Sequence, residues 1–151
     1  NDVRIDEILF KVMADIKKIN ASYNVELNYD DSAEVENNFL VFGNADLLYI
    51  SIRNLVENGC KYSHDQTSRV NLSFGNESAI IDVKNVGEPI RQEDMEKIFQ
   101  PFYRSAEAAG TQGFGLGLAL SQRIVALHKG RLYLKSSDET GTVFTIMLPT
   151  V

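Results

Sequence analysis

Cysteine occurs once, at Cys60, so no disulfide can form within the chain. That fits a reducing compartment. With only two histidines beside it, the chain cannot assemble a zinc site without carboxylates, and no pair of ligands has the usual spacing. Three prolines and ten glycines are too few for a collagenous or low-complexity chain. An apolar run of about 18 residues is also missing, which excludes a membrane-spanning helix. The start, Asn1-Asp2-Val3-Arg4-Ile5-Asp6, is polar and has no signal core. It has no initiator Met either, as expected of a piece of a longer protein. Basic residues are in deficit, 15 against 21 acidic ones, for a net charge of −6. Non-specific nucleic-acid binding runs on counterion release by Lys and Arg, so it is not expected here. Any phosphate-bearing ligand must be held by a local arrangement. No internal repeat is visible.

What is present is ordinary globular composition. The 151 residues are 44% hydrophobic and 24% charged, enough for one domain with a core that needs no disulfide or structural metal. Apolar residues at Ile5, Ile8, Leu9, Val12, Met13, Ile16 and Ile19 predict an amphipathic helix over residues 5–20. Val25 to Tyr29 and Phe39 to Phe42 read as short strands. A long helix is predicted over residues 44–62, with Asn44 as its N-cap. Val70 to Phe74 and Ala79 to Lys84 read as strands joined by the turn Gly75-Asn76-Glu77. A short helical stretch follows at Glu93 to Phe99. Gly117 to His128 is helical, and Gly130 is expected as its C′ glycine. Arg131 to Ser136 and Thr142 to Leu148 make a terminal hairpin. Strand pairs joined by short turns predict a mixed sheet, and helices on one face of it give a two-layer α/β (α+β) sandwich.

Three segments carry candidate chemistry. On the long helix, with Asn54 set at zero, Asn58 lies near ~40° and Lys61 near about −20°. Leu48, Ile52, Leu55 and Gly59 fall between about 100° and 160°. Ile50 sits nearer the polar side. Two amides and an ammonium thus share one stripe. It reads either as a solvated face or as a polyphosphate site, since an amide oxygen is a neutral, hard Mg²⁺ ligand and a lysine one turn on can neutralise a phosphate oxygen. The run Gly113-Phe114-Gly115-Leu116-Gly117-Leu118 precedes a helix. Its glycines leave backbone N–H groups free to point at an anion, next to a helix N-terminus. It is not the dinucleotide fingerprint, because Leu118 stands where that pattern needs Gly, and no Gly-Lys-Ser/Thr follows as in a Walker A loop. A hinge is the alternative. The third segment, Asn85-Val86-Gly87-Glu88-Pro89-Ile90, ends a strand. Asn85 offers a donor and an acceptor suited to the edge of a base, and Gly87 permits a turn or close approach.

Together these residues resemble a known family. Asn54-Leu55-Val56-Glu57-Asn58-Gly59-Cys60-Lys61-Tyr62-Ser63 is similar to the N box of bacterial sensor histidine kinases. Asn85 to Ile90 resembles a divergent G1 box, and Ile98-Phe99-Gln100-Pro101-Phe102-Tyr103-Arg104 the F box. Gly113 to Leu118 resembles the G2 box, and Gly141-Thr142-Val143-Phe144 the last glycine box. The order and spacing of all five match, over essentially the whole chain. The resemblance implies the catalytic and ATP-binding domain of a two-component sensor histidine kinase, a Bergerat sandwich with a mixed sheet backed by three helices. It implies ATP and Mg²⁺ as cofactors, with Asn58 as the metal ligand. Asn54 and Lys61 would contact phosphates, and Tyr62 would flank the nucleotide. Asn85 would take the adenine-recognising place, Gly87 and Ile90 would shape that pocket, and Thr142 would lie near the adenine. Phe99, Phe102 and Arg104 would anchor a lid over residues 103–113, with Arg104 reaching toward the terminal phosphate. Gly113, Gly115, Leu116, Gly117 and Leu118 would give backbone N–H groups to the phosphates.

Two positions depart from the family's pattern. The adenine position usually holds Asp and here holds Asn85, which can accept a bond from an amino group but lacks the charge. The second G1 glycine is replaced around Pro89, which stiffens that turn. The ATPase relatives carry a Glu four residues before the metal Asn; Asn54 stands there, which favours transfer to an acceptor over hydrolysis. Glu57, near about −60° on the same wheel, reads as a solvated carboxylate, with activation of a water as the alternative. His64 sits in a polar loop without the rest of an acceptor motif, and His128 is expected to cap carbonyls at a helix end. The acceptor histidine is therefore expected on a separate dimerisation domain of the chain's own parent, with a response-regulator receiver downstream and a homodimer as the intact form. The domain is expected in the cytoplasm with no membrane contact of its own, and the resemblance also allows for a parent set in the inner membrane. The alternatives are a nucleotide-binding regulatory module of the same fold, or a hydrolase or serine kinase.

Overall fold

The computed structural model describes residues 1–29, 39–95, 97–100, 117–137 and 141–151. Five strands form one mixed sheet in the order β2 (Asn24–Tyr29), β4 (Thr67–Gly75), β5 (Ser78–Asn85), β7 (Gly141–Pro149), β6 (Arg131–Ser137). In this sheet β2 and β4 run parallel and the other pairs are antiparallel. Helices α1 (Ile5–Ile19), α2 (Ala45–Tyr62) and α4 (Gly117–Leu127) back the sheet, with a one-turn α3 at Gln92–Met95. This is the mixed, helix-backed α/β sandwich expected. A small ribbon of β1 (Asp2–Arg4) and β3 (Leu40–Phe42) stands beside it and is tied to the end of β7 through Val41 and Thr150. No helix among the described residues is long and apolar enough to cross a membrane.

The pattern of the strands explains the layering. In β5, Ala79, Ile81, Val83 and Asn85 are buried while the residues between them are half-buried. Period-two alternation of this kind covers one face and leaves the other to solvent. In β7, Thr142, Phe144, Ile146 and Leu148 make the matching row. The helices fill the space above with Leu9, Val12 and Ile16 of α1, Leu48, Ile52, Leu55 and Val56 of α2, and Ile124 and Val125 of α4. Gly59 of α2 allows close approach to the sheet, since a Cβ there would stand 2.2 Å from the Ser68 hydroxyl, which bonds the Val56 carbonyl at 2.6 Å. Beside it the buried Cys60 thiol donates to the Asn24 carbonyl at 3.3 Å, and burial pushes its pKa up, so it stays a thiol.

Helix ends follow local chemistry. Asn44 caps α2 as predicted, accepting from the Leu47 N–H at 3.0 Å. At the end of α4 the expectation needs correcting. The left-handed residue is Lys129, at φ 60, and it takes the C′ place. Gly130 is C″, its N–H bonding the Val125 carbonyl at 2.9 Å. Glycine is needed there for space, because a Cβ would lie 2.4 Å from the Met147 carbonyl oxygen. The β4–β5 turn is likewise made by Asn76 and Glu77, both at positive φ, while Gly75 still pairs with Ser78 in the ladder. The helix predicted over Glu93 to Phe99 is shorter and earlier, at Gln92–Met95, with turn bonds from Ile98 and Lys97 back to Asp94.

Candidate functional site

α2 carries the polar stripe as its register dictates. Leu48, Ile52, Leu55 and Gly59 are buried, and Asn54, Asn58 and Lys61 are half-buried along the adjoining face. At the end of the helix the Lys61 ammonium stands 5.6 Å from the centre of the Tyr62 ring. α4 meets this stripe at its first residue. The Asn54 side-chain nitrogen points at the Gly117 carbonyl, 3.5 Å away, and a Cβ on Gly117 would meet the Asn54 side chain at ordinary contact distance. The helix stripe and the end of the glycine-rich run are therefore side by side. Leu118, half-buried, packs against the core beneath them.

The other end of the site is built by the sheet. Asn85 closes β5 and pairs across the ladder with Thr142 of β7, and the two are only 4% and 3% exposed. The Asn85 amide nitrogen faces the Tyr62 carbonyl at 3.5 Å, which leaves its oxygen as the acceptor for another group. Gly87 lies directly over the last turn of α2: a Cβ there would be 2.2 Å from the Tyr62 carbonyl oxygen. Gly141 approaches the Asn85 backbone almost as closely, at φ +73, a conformation side chains avoid. Ser63 and His64 fasten this corner by donating to the Val86 carbonyl, from hydroxyl and N–H, at 3.2 and 2.8 Å. Asp65 accepts from the Ser63 hydroxyl at 2.6 Å and from Arg69 at 2.7 Å. The Arg69 guanidinium, and then the Ser63 hydroxyl, hold the Asp65 carboxyl well below the usual carboxylate range.

Sequence reasoning missed Ser136. Its hydroxyl accepts from the Ile90 N–H at 2.8 Å and shares a 2.7 Å hydrogen bond with Thr142. It thereby joins three elements around the buried end of β5. Its only signal was its place in the terminal hairpin opposite Thr142. Phe99 is half-buried and meets Phe144 edge to face, centroids 6.2 Å apart, so this end of the aromatic box sits on the core. Phe102, Arg104, Gly113, Gly115 and Leu116 lie outside the described residues, as does the segment expected as the lid.

The remaining candidates sort by their partners. Glu57 is half-buried on α2, and its charge adds to burial in raising the Tyr23 and Cys60 pKa values. His128 bonds the Ile124 carbonyl through Nδ1 at 2.7 Å and accepts from the Asn44 N–H through Nε2 at 3.1 Å. Both ring nitrogens are engaged, so its role is structural. His64 is exposed, with Glu88 4.0 Å away. Among the described residues no three His, Cys, Asp or Glu side chains are grouped to hold a metal. A divalent cation here would take an amide oxygen from α2 and complete its shell with ligand oxygens and water, the usual habit of Mg²⁺.

Residues 43–151 match the family described as histidine kinase-, DNA gyrase B- and HSP90-like ATPase. A sensor-like histidine kinase, SenX3 of Mycobacterium tuberculosis, is 33% identical over 152 residues, 98% of this chain and 36% of the relative. The heme sensor protein HssS of Staphylococcus haemolyticus is 41% identical over 110 residues, 71% of this chain and 23% of the relative. The chain thus spans about a third or less of the curated relatives it matches. Among solved structures, the mycobacterial sensor histidine kinase MprB superposes with a TM-score of 0.85 at 23% identity, covering 99% of this chain and 98% of that one. The catalytic domain of histidine kinase ThkA superposes with a TM-score of 0.79 at 24% identity, covering 99% and 95%. The chain belongs to the histidine kinase-, DNA gyrase B- and HSP90-like ATPase family, as an ATP-binding catalytic domain of the sensor histidine kinase kind.

Proposed function

We propose that this domain binds Mg·ATP between α2 and the β5–β7 corner and passes the γ-phosphoryl group to a histidine on a separate dimerisation domain, in a two-component system. The observation that carries this is the contact of Asn54 with Gly117, which sets the amide stripe of α2 beside the last glycine of the glycine-rich run. In this reading Asn58 ligates Mg²⁺, which neutralises charge on the phosphates. Asn54 and Lys61 contact phosphate oxygens, and Gly113, Gly115, Leu116, Gly117 and Leu118 present backbone N–H groups to them. Arg104 reaches the terminal phosphate from the lid, with Phe99 and Phe102 as its anchors. Tyr62, Gly87, Ile90 and Thr142 enclose the base, and the Asn85 oxygen accepts from the adenine amino group. Phosphoryl transfer asks the protein mainly for positioning and charge neutralisation, which this set supplies.

The partners that follow are the domain's own dimerisation and phosphoacceptor domain, with a response-regulator receiver after it, in a homodimeric parent. Mg²⁺ as the ion and a cytoplasmic setting belong to the same reading. The domain alone should transfer poorly, because neither His64 nor His128 is placed as an acceptor.

The test is to mix the chain with its dimerisation domain and γ-labelled ATP. Label on a histidine is the expected result. Free phosphate alone would indicate a hydrolase, and nucleotide binding with neither product would indicate a regulatory module, the alternative that the departures at Asn85 and Pro89 leave open. Asn58→Ala should abolish Mg²⁺-dependent binding in calorimetry, and wild-type affinity in that variant would remove Asn58 from the metal site.

A further inference from the structure

The contact between α2 and α4 is centred on two serines. Ser51 and Ser121 are both 0% exposed. The Ser121 hydroxyl donates to the Ser51 carbonyl at 3.0 Å, and the Ser51 hydroxyl donates to the Ser121 carbonyl at 3.4 Å. A helical serine usually bonds a carbonyl of its own preceding turn. Here each reaches across to the other helix. On the α2 wheel Ser51 stands near about 60°, on the border between the buried stripe and the Asn54–Asn58 stripe. Asn54 is the next residue but two along α2, and Gly117 lies one turn before Ser121, so the serine bridge and the Asn54–Gly117 contact are successive rungs of one antiparallel ladder.

Aliphatic side chains at these two places would pack without direction and tolerate a slide. Reciprocal hydrogen bonds do not, because a slip of α4 by one residue breaks both and strands two hydroxyls in the core. The bridge therefore sets both the distance and the register between α2 and the first turn of α4. The base corner is fastened separately, by Asn85, Gly87, Ser136 and Thr142 through the sheet.

We propose that Ser51 and Ser121 are positioning residues for the phosphate half of the nucleotide site, acting through the placement of Gly117, at the start of α4, against Asn54. This rests on the nucleotide reading above. The bridge makes the affinity for phosphates depend on the α2–α4 register and leaves the affinity for the base independent of it.

The test compares a Mg·ATP analogue that is not hydrolysed with adenosine, by calorimetry, on the wild-type chain, Ser51→Ala and Ser121→Ala. Alanine is the best helix former, so both helices are retained. The Mg·ATP analogue should bind about tenfold more weakly to either variant, the order expected when a remote contact that positions a site is lost. Adenosine should bind each variant as it binds the wild type. Equal weakening of both ligands, or a lowered melting temperature with both affinities unchanged, would overturn the proposal and leave the serines a packing role. If Ser51→Ala melts below the assay temperature, Ser121→Ala, which removes the shorter bond alone, decides the matter. A wild-type chain that binds no Mg·ATP analogue would instead overturn the nucleotide reading, and this inference with it.

Discussion

The two ends of the site are made in different ways. The β5–β7 corner, proposed to take the base, is made by the sheet and the strands that close it. Asn85 and Thr142 are ladder partners, and Ser63, His64 and Ser136 fasten the loops between them with hydrogen bonds of 2.7 to 3.2 Å. Two glycines there exist because backbone lies where a Cβ would be. The end proposed to take the phosphates is made by two helices that meet side by side, through the serine bridge and a long contact at 3.5 Å. A pocket set by β-ladder register has little freedom to change shape, whereas helices can slide on one another by small steps. If the nucleotide binds as proposed, base recognition is built into the fold and phosphate recognition is built on an interface.

The largest effect should come from breaking the rigid end. Gly87→Ala places a methyl 2.2 Å from the Tyr62 carbonyl oxygen, and backbone must move to accept it. Overpacking against backbone costs about 1–3 kcal/mol, so thermal melting should drop by several degrees. Adenosine affinity should fall with it, by about tenfold or more. A middle-sized effect should separate stability from binding. Gly59→Ala drives a methyl into the Ser68 hydroxyl, a side chain that can yield, and should cost about 1–2 kcal/mol in melting. Adding Ser68→Ala should restore part of it by making room. The ratio of Mg·ATP-analogue to adenosine affinity should stay the same in both, since Gly59 faces Ser68 of the sheet and not the Asn54–Asn58 stripe.

The smallest effect should appear with pH. Arg69 and Ser63 hold the Asp65 carboxyl below its ordinary value in the folded state. A lowered folded-state pKa adds stability above the ordinary aspartate value near ~4, and that contribution is lost as the pH falls from there toward the lowered value. Asp65 is exposed, so solvent screens the pair and the gain is small. Asp65→Asn should therefore melt slightly below the wild type at neutral pH and converge on it in acid. A difference that persists unchanged into strong acid would assign the effect to the shape of the substituted amide and not to charge.

Much of this was legible in the sequence for physical reasons. The apolar spacing of α1 and α2 is a direct image of the surfaces they bury, and the alternation of β5 and β7 shows which face meets the helices. The Asn54–Asn58–Lys61 stripe was readable because helix geometry alone places it. What was not legible depended on partners distant in the chain. β1 is three residues long, too short to show a period, and exists because β3 pairs with it. Lys129 takes the left-handed place that Gly130 was expected to fill, because Gly130 is needed under the Met147 carbonyl. Asn76 and Glu77 turn the β4–β5 hairpin because two residues at positive φ suit the twist of the strands, leaving Gly75 in the ladder. Ser51, Ser121 and Ser136 looked like ordinary polar positions. Their roles follow only from what the fold brings opposite them.

The claim on which everything else depends is that the amides of α2 and the glycine-rich run before α4 hold one triphosphate, with the base lodged at the β5–β7 corner. The direct measurement is a titration of the isotope-labelled chain followed by amide nuclear magnetic resonance, once with a Mg·ATP analogue and once with adenosine. The account predicts that the analogue shifts the side-chain amides of Asn54 and Asn58 and the backbone amides of Gly113, Gly115 and Gly117 along a single saturation curve, while adenosine shifts Asn85 and Thr142 and leaves those five unmoved. Two sets of signals that saturate at different concentrations, or a glycine run that does not respond to the analogue at all, would contradict it.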